Sequence, residues 1–147
     1  MTRREPRPPA RVTLVESSGP VSPRYQYALT VEVTWPSDGD ARVRVTHRRP
    51  RAAGGDAEAS TIISAERFQR LWGEVWFGAS TDLAPADDHR IGVSTNRLSL
   101  EEAGAPQGAF TYRLHHLELD ENLQWRARVA HVKALADEVL AGSEQCP

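Results

Sequence analysis

The sequence predicts an α+β domain: an antiparallel sheet of four to five strands, in the order β-β-β-α-β-β-α, with two helices packed on one sheet face. Three observations carry that expectation. Every odd position from Tyr25 to Trp35 is apolar or aromatic, a period-two pattern that sets one strand face on a core and leaves the other wet. Phe68, Leu71, Trp72, Val75 and Trp76 recur at three- and four-residue spacing, one continuous stripe along a helix. Strand patterns also follow one another directly, so there is no βαβ alternation to favour parallel pairing.

Residues 1–10 are rich in Pro and Arg and carry no hydrophobic period, so they read as a flexible basic tail. The single domain is expected over 11–142, with 143–147 as a second short tail. Its first strand spans Val12 to Glu16 and ends at Ser17-Ser18-Gly19-Pro20. The Tyr25–Trp35 strand turns through Pro36-Ser37-Asp38-Gly39-Asp40 into Ala41, Val43, Val45 and His47, which alternate with Arg42, Arg44, Thr46 and Arg48. These two segments form an antiparallel hairpin, with Thr30, Glu32 and Thr34 on the face of the arginines.

Residues 49–60 show no packing pattern and read as a surface loop with two adjacent glycines. Ser64 then serves as N-cap of the first helix, Glu66 sits in its first turn, and Gly78 is placed to end it. Asp82 to Asp88 reads as an acidic loop. Ile91 and Val93 suggest a strand that Leu98 and Leu100 continue, and Glu101 to Gly108 reads as another loop. Phe110, Tyr112 and Leu114 alternate again, but Leu117 and Leu119 lie on the opposite parity, a slip that a β-bulge at His115-His116 explains. Asp120 caps a last helix whose stripe is Trp125, Val129, Val132, Ala136 and Val139, with Gly142 as its stop.

Bulk properties exclude several classes. A chain of 147 residues has the length of one domain and buries roughly two-thirds of its unfolded surface. With 39% hydrophobic and 26% charged residues it is globular rather than disordered. No apolar run approaches the roughly 18 residues of a membrane span, and no apolar segment follows the N-terminal arginines as a secretory signal requires. The single Cys146 excludes an intrachain disulfide and a cysteine-based zinc site, and a cytoplasmic location is the expectation. The net charge of −2 conceals an asymmetry: residues 1–51 hold ten arginines against five acids, and 52–147 hold eight basic groups against fifteen acids.

The motifs that usually announce chemistry are missing. There is no Gly-Lys-Ser phosphate loop, dinucleotide fingerprint, His-Glu-x-x-His or nucleophile elbow. Adjacent strand residues point to opposite faces, so His115 and His116 make a poor chelate, and His47, His89 and His131 are far apart in sequence. Asp82, Asp87, Asp88 and His89 lack the alternating ligands and glycine turn of a calcium loop. Neither a metal nor a cofactor is expected.

What remains are surface features. Arg42, Arg44 and Arg48 share one strand face, and Arg3, Arg4, Arg7 and Arg11 form a basic arm. Trp72 and Trp76 are more bulk than one small sheet covers, which points to Trp76 and Phe77 reaching an exposed edge. The first reading is therefore a non-enzymatic protein-binding or regulatory module that meets a protein partner, or a copy of itself, through Arg42, Arg44, Arg48, Trp76 and Phe77. The second is a small-molecule pocket or enzyme between sheet and helices, with Tyr27, Tyr112, His47 or His116 as polar groups in an apolar cavity. The third is nucleic-acid binding through the arginine-rich N-terminal half, ranked last because no aromatic residues interleave the arginines.

Overall fold

Ala10, Val12 and Leu14 alternate with Arg11, Thr13 and Val15, and that alternation builds the first strand, β1 (Ala10–Ser17), longer at both ends than its sequence pattern suggests. The computed structural model describes residues 5–18, 26–37, 39–51, 54–76 and 94–145. Two further strands, β2 (Ala28–Trp35) and β3 (Ala41–Arg48), form the expected hairpin, with Val31 opposite Val45, Val33 opposite Val43 and Glu32 opposite Arg44. The Trp35 indole N–H donates to the Gly39 carbonyl at 2.6 Å, which ties the strand end to its turn.

A strand that the sequence pattern does not reveal follows: β4 (Ala57–Ile63), within and beyond the stretch expected to be a loop. Only Ile63 of this strand is buried, so it lacks the apolar alternation that marks a strand lying on a core. The first helix, α1 (Ala65–Val75), starts where expected, with the Ser64 hydroxyl accepting from the Arg67 N–H at 3.1 Å. It ends at Val75, and Gly78, the acidic loop and the Ile91–Val93 segment lie outside the described residues.

The next two strands, β5 (Thr95–Glu102) and β6 (Ala105–Tyr112), form a tight hairpin where a loop was expected over 101–108. Its two-residue turn places Ala103 at φ 49° and Gly104 at φ 80°, left-handed at both positions, as the twist of a hairpin favours. The strand does not bulge at the histidine pair. It ends at Tyr112, and a 3-10 turn over Leu114–Glu118 changes the parity instead. Asp120 opens a second 3-10 turn, and the long helix α2 (Leu123–Gln145) runs past Gly142, which does not stop it.

Among the described residues the element order is thus β-β-β-β-α-β-β-α, and the α+β class holds with six strands there instead of four or five. The sheet runs β4-β3-β2-β1-β5-β6, antiparallel throughout. Phe68, Leu71, Trp72 and Val75 of α1 join Val129, Val132, Leu135, Ala136 and Val139 of α2 over one sheet face. Arg67 of α1 pairs with Glu138 of α2, and Glu74 pairs with His131 at 3.2 Å.

Residues 5–9, part of the stretch read as a tail, lie against the β5–β6 turn: Pro6 is buried, and the Arg7 N–H donates to the buried Glu102 carboxylate at 2.7 Å. Among the described residues no helix is long and apolar enough to cross a membrane.

Candidate functional site

The helix-facing side of the sheet is built in cross-strand ranks, and the site lies where their chemistry changes. One rank is Thr61, Val43, Val33, Val12, Leu100 and Gly108, and the next is Ala59, Val45, Val31, Leu14, Leu98 and Phe110. Both are apolar apart from Thr61 at the edge. The rank after them is Ala57, His47, Leu29, Glu16, Asn96 and Tyr112. Chemistry changes there within one residue pair of each strand, from a dry core to a row of groups that can donate, accept or ionise.

Glu16 is the centre of that row. It continues the inward parity of Ala10, Val12 and Leu14 and is 2% exposed, so its carboxylate lies where an aliphatic side chain would be expected. Burying a carboxylate costs several kcal/mol unless it is paired and hydrogen-bonded. Two donors meet it from different elements. The Tyr112 hydroxyl of β6 donates to Oε1 at 2.8 Å, and the Lys133 ammonium of α2 lies 3.2 Å from Oε2. Asn96 braces the row: its Oδ1 accepts from the Ser17 N–H at 3.1 Å, and its Nδ2 lies 3.5 Å from the Tyr112 carbonyl. Desolvation, and then the charge of Glu16, push the Tyr112 phenol far above its ordinary pKa.

Beside Glu16 opens a cleft of about 480 Å³. Leu29 of β2, Leu140 of α2, Pro50 and the Tyr27 ring supply apolar wall, and His47, Gln26, Arg49, Lys133 and Asp137 supply polar groups. Tyr27 is pinned by a reciprocal pair of bonds to Ser18: its N–H donates to the Ser18 hydroxyl and its carbonyl accepts from the Ser18 N–H, each at 3.0 Å. Its ring meets His47 edge-on, with centroids 6.5 Å apart. Desolvation lowers the His47 pKa, with neighbouring Arg49 adding to the effect. Desolvation also raises that of Tyr27, and Glu16 adds to it. Arg49 is aimed by Nε donation to the Gly55 carbonyl at 3.0 Å, while its N–H donates to Asp56 at 3.0 Å.

Of the polar groups expected to line a pocket, Tyr27 and His47 share this cleft, and Tyr112 joins through Glu16. His116 does not: it is buried in the 3-10 turn after β6, with Nδ1 accepting from the Arg113 N–H at 3.3 Å. The side chain of His115 lies outside the described set. Glu16, Asn96, Lys133 and Asp137 escaped sequence reading. Glu16 was the findable one, because an ionisable residue at the inward position of an otherwise apolar strand is itself a signal.

The surface residues fall in two separate places. Arg42, Arg44 and Arg48 are exposed together on the sheet face opposite α1 and α2, in the register expected. Arg44 pairs with Glu58 at 3.0 Å, Arg48 with Asp56 at 3.5 Å, and Arg11 on the same face with Glu101 at 3.0 Å. Paired so, each contributes less to a long-range field than its formal charge. Trp76 lies on the opposite, helix-bearing side. It is half-buried and stacked on Trp72 with centroids 5.8 Å apart, and its carbonyl accepts from the Arg128 guanidinium at 3.2 Å. Phe77 lies outside the described residues. Among the described residues, no three His, Cys, Asp or Glu side chains are placed to hold a metal ion.

Compared with known proteins, the chain matches no family model, and no curated protein matches it in sequence.

Proposed function

We propose that the protein binds a compact, uncharged or zwitterionic small molecule in the Glu16 cleft. The observation that carries this reading is the buried carboxylate at the sheet's polar rank, held by Tyr112 and Lys133 at the cleft wall. A leucine or valine there would continue the strand's pattern without the desolvation cost of a charge, and departures from local consistency of this kind concentrate at functional sites.

Three further features support it. The cleft has the size of a small-molecule site, which typically spans about 300–1,000 Å³ and combines apolar walls with a few convergent polar groups. Its ionised groups balance: Glu16 and Asp137 against Lys133 and Arg49, with the depressed pKa of His47 favouring the neutral imidazole, so neither an anion nor a cation is strongly preferred. The Tyr27 hydroxyl and the His47 ring nitrogens have no hydrogen-bond partner among the described residues, which leaves donor and acceptor capacity for a ligand.

The test is amide NMR of the full chain titrated with a mixture of neutral aromatic and zwitterionic fragments. Shifts should cluster at Tyr27, His47, Lys133 and Leu140, and disappear in Leu140→Trp, which fills the cleft from its α2 wall. Scattered shifts, or a cluster that survives in folded Leu140→Trp, would overturn the proposal.

A further inference from the structure

The two edges of the sheet are finished differently. β6 carries Pro106 and a register irregularity opposite Leu100 and Glu101, both of which discourage a further strand from pairing. β4 carries neither. Ala57–Ile63 contains no proline, lysine or arginine, and its register with β3 is regular from end to end. Among the described residues β4 pairs only with β3, and Ser60, Thr61 and Ile62 are exposed, Ile62 by 63%.

Thr61 is the informative one. It shares the helix-facing side with buried Val43, so its exposure means that α2, although packed against β4, leaves this part of the edge open. A groove of about 540 Å³ lies there, along Ala59–Ile63 and bounded by Arg67, Glu138 and Val139. A regular, nearly uncharged edge beside a groove is a template for one more strand.

We infer that the strand it takes is β4 of a second copy, running antiparallel so that the two sheets become one. The segment suits itself as a partner. A two-fold axis at Ser60 sets Ala59 opposite Thr61 of the copy, Glu58 opposite Ile62, and Ala57 opposite Ile63, with each pair on one face. The two Glu58 carboxylates then lie at opposite ends of the pairing and do not repel.

Charge complementarity selects a copy over an unrelated strand. β3 places Arg42 beside Ile62, and Arg42 has no ion-pair partner among the described residues. The exposed Glu58 carboxylate holds Arg44 of its own chain at 3.0 Å through one oxygen and can accept from Arg42 of the copy with the other. In the paired sheet, Glu58 of the copy enters the same rank beyond Ile62, two strand spacings or about 10 Å from the Arg42 backbone. Two extended side chains of those lengths span that gap, and the arrangement repeats across the axis.

Sedimentation velocity of the full chain over a range of concentrations tests this. The expected result is a reversible dimer. Ser60→Lys sets two lysines face to face at the axis and should weaken it about fivefold or more. Ile62→Glu, which sets a carboxylate opposite Glu58 of the copy at each end of the pairing, serves if circular dichroism shows Ser60→Lys misfolded. Glu58→Arg should weaken the dimer, and adding Arg42→Glu should restore it. A monomer at every concentration, or a dimer indifferent to Ser60→Lys and Ile62→Glu in folded chains, overturns the inference.

Discussion

Tyr112→Phe isolates the bond on which the polar rank depends. The substitution keeps the ring and removes one oxygen, so no cavity opens and the loss is that of a hydrogen bond to a buried carboxylate. Tyr112 and Glu16 are each 2% exposed, so water cannot take over the vacated position. A bond to a charged group contributes about 1.5–3 kcal/mol, which for a chain of this length lowers the melting temperature by about 3–10 °C. Lys133→Met removes the other donor. The Lys133 side chain is 43% exposed, so solvent screens its attraction to Glu16 and the expected cost is smaller, about 1–2 kcal/mol. Because both donors serve one carboxylate, the double variant should depart from the sum of the singles by more than about 0.5 kcal/mol. Urea unfolding at pH 7, followed by tryptophan fluorescence and far-ultraviolet circular dichroism, measures all three. If Tyr112→Phe costs under about 0.5 kcal/mol and adds simply to Lys133→Met, Glu16 is not clamped as described.

Other expectations follow from single positions. Ser64→Ala removes the cap of α1 and should cost about 1 kcal/mol in the same unfolding assay, with Ser64→Gly less harmful. Val31→Asp places a charge with no partner at a fully buried central position, and its circular dichroism should be that of an unfolded chain. His47 has a folded-state pKa below its unfolded value, so the unfolded chain binds the proton first. Stability should fall as pH drops below about 6.5, until the lower folded-state pKa is passed, and comparison with His47→Gln across that window should show the variant losing less.

How much of this was legible in the sequence follows from what each residue touches. The central hairpin read correctly because Val31, Val33, Val43 and Val45 are buried on one face and open on the other, the condition that writes a period of two. The α1 stripe and its Ser64 cap were legible for the same reason: local spacing and one side-chain bond decide them. β4 was not, because an edge strand that buries only Ile63 has no reason to alternate. The turn at Ala103 and Gly104 hid a hairpin, since an alanine with positive φ is not a usual turn signal.

The site was half visible. Tyr27, Tyr112 and His47 stood out as polar groups among apolar ones, but Glu16 meets Tyr112 across 96 positions and Lys133 from the last helix. Only the strand order β2-β1-β5-β6 and the passage of α2 over it bring those three together, and that topology is not written in any local pattern. The surface expectation was legible as far as the arginine face, whereas the acids that pair with it, Glu58 and Asp56, come from a segment whose strand was not foreseen.

The central claim is that the cleft beside Glu16 receives a ligand, and crystals of the full chain soaked with the same neutral and zwitterionic fragments test it most directly. The expected result is a fragment whose ring lies among Leu29, Leu140, Pro50 and Tyr27, with its polar atoms on the Tyr27 hydroxyl and the His47 imidazole, and with Glu16 still held by Tyr112 and Lys133. Fragments that bind elsewhere on the chain while this cleft takes up none of them would contradict it, and the Glu16 row would then be an internal strut of the fold.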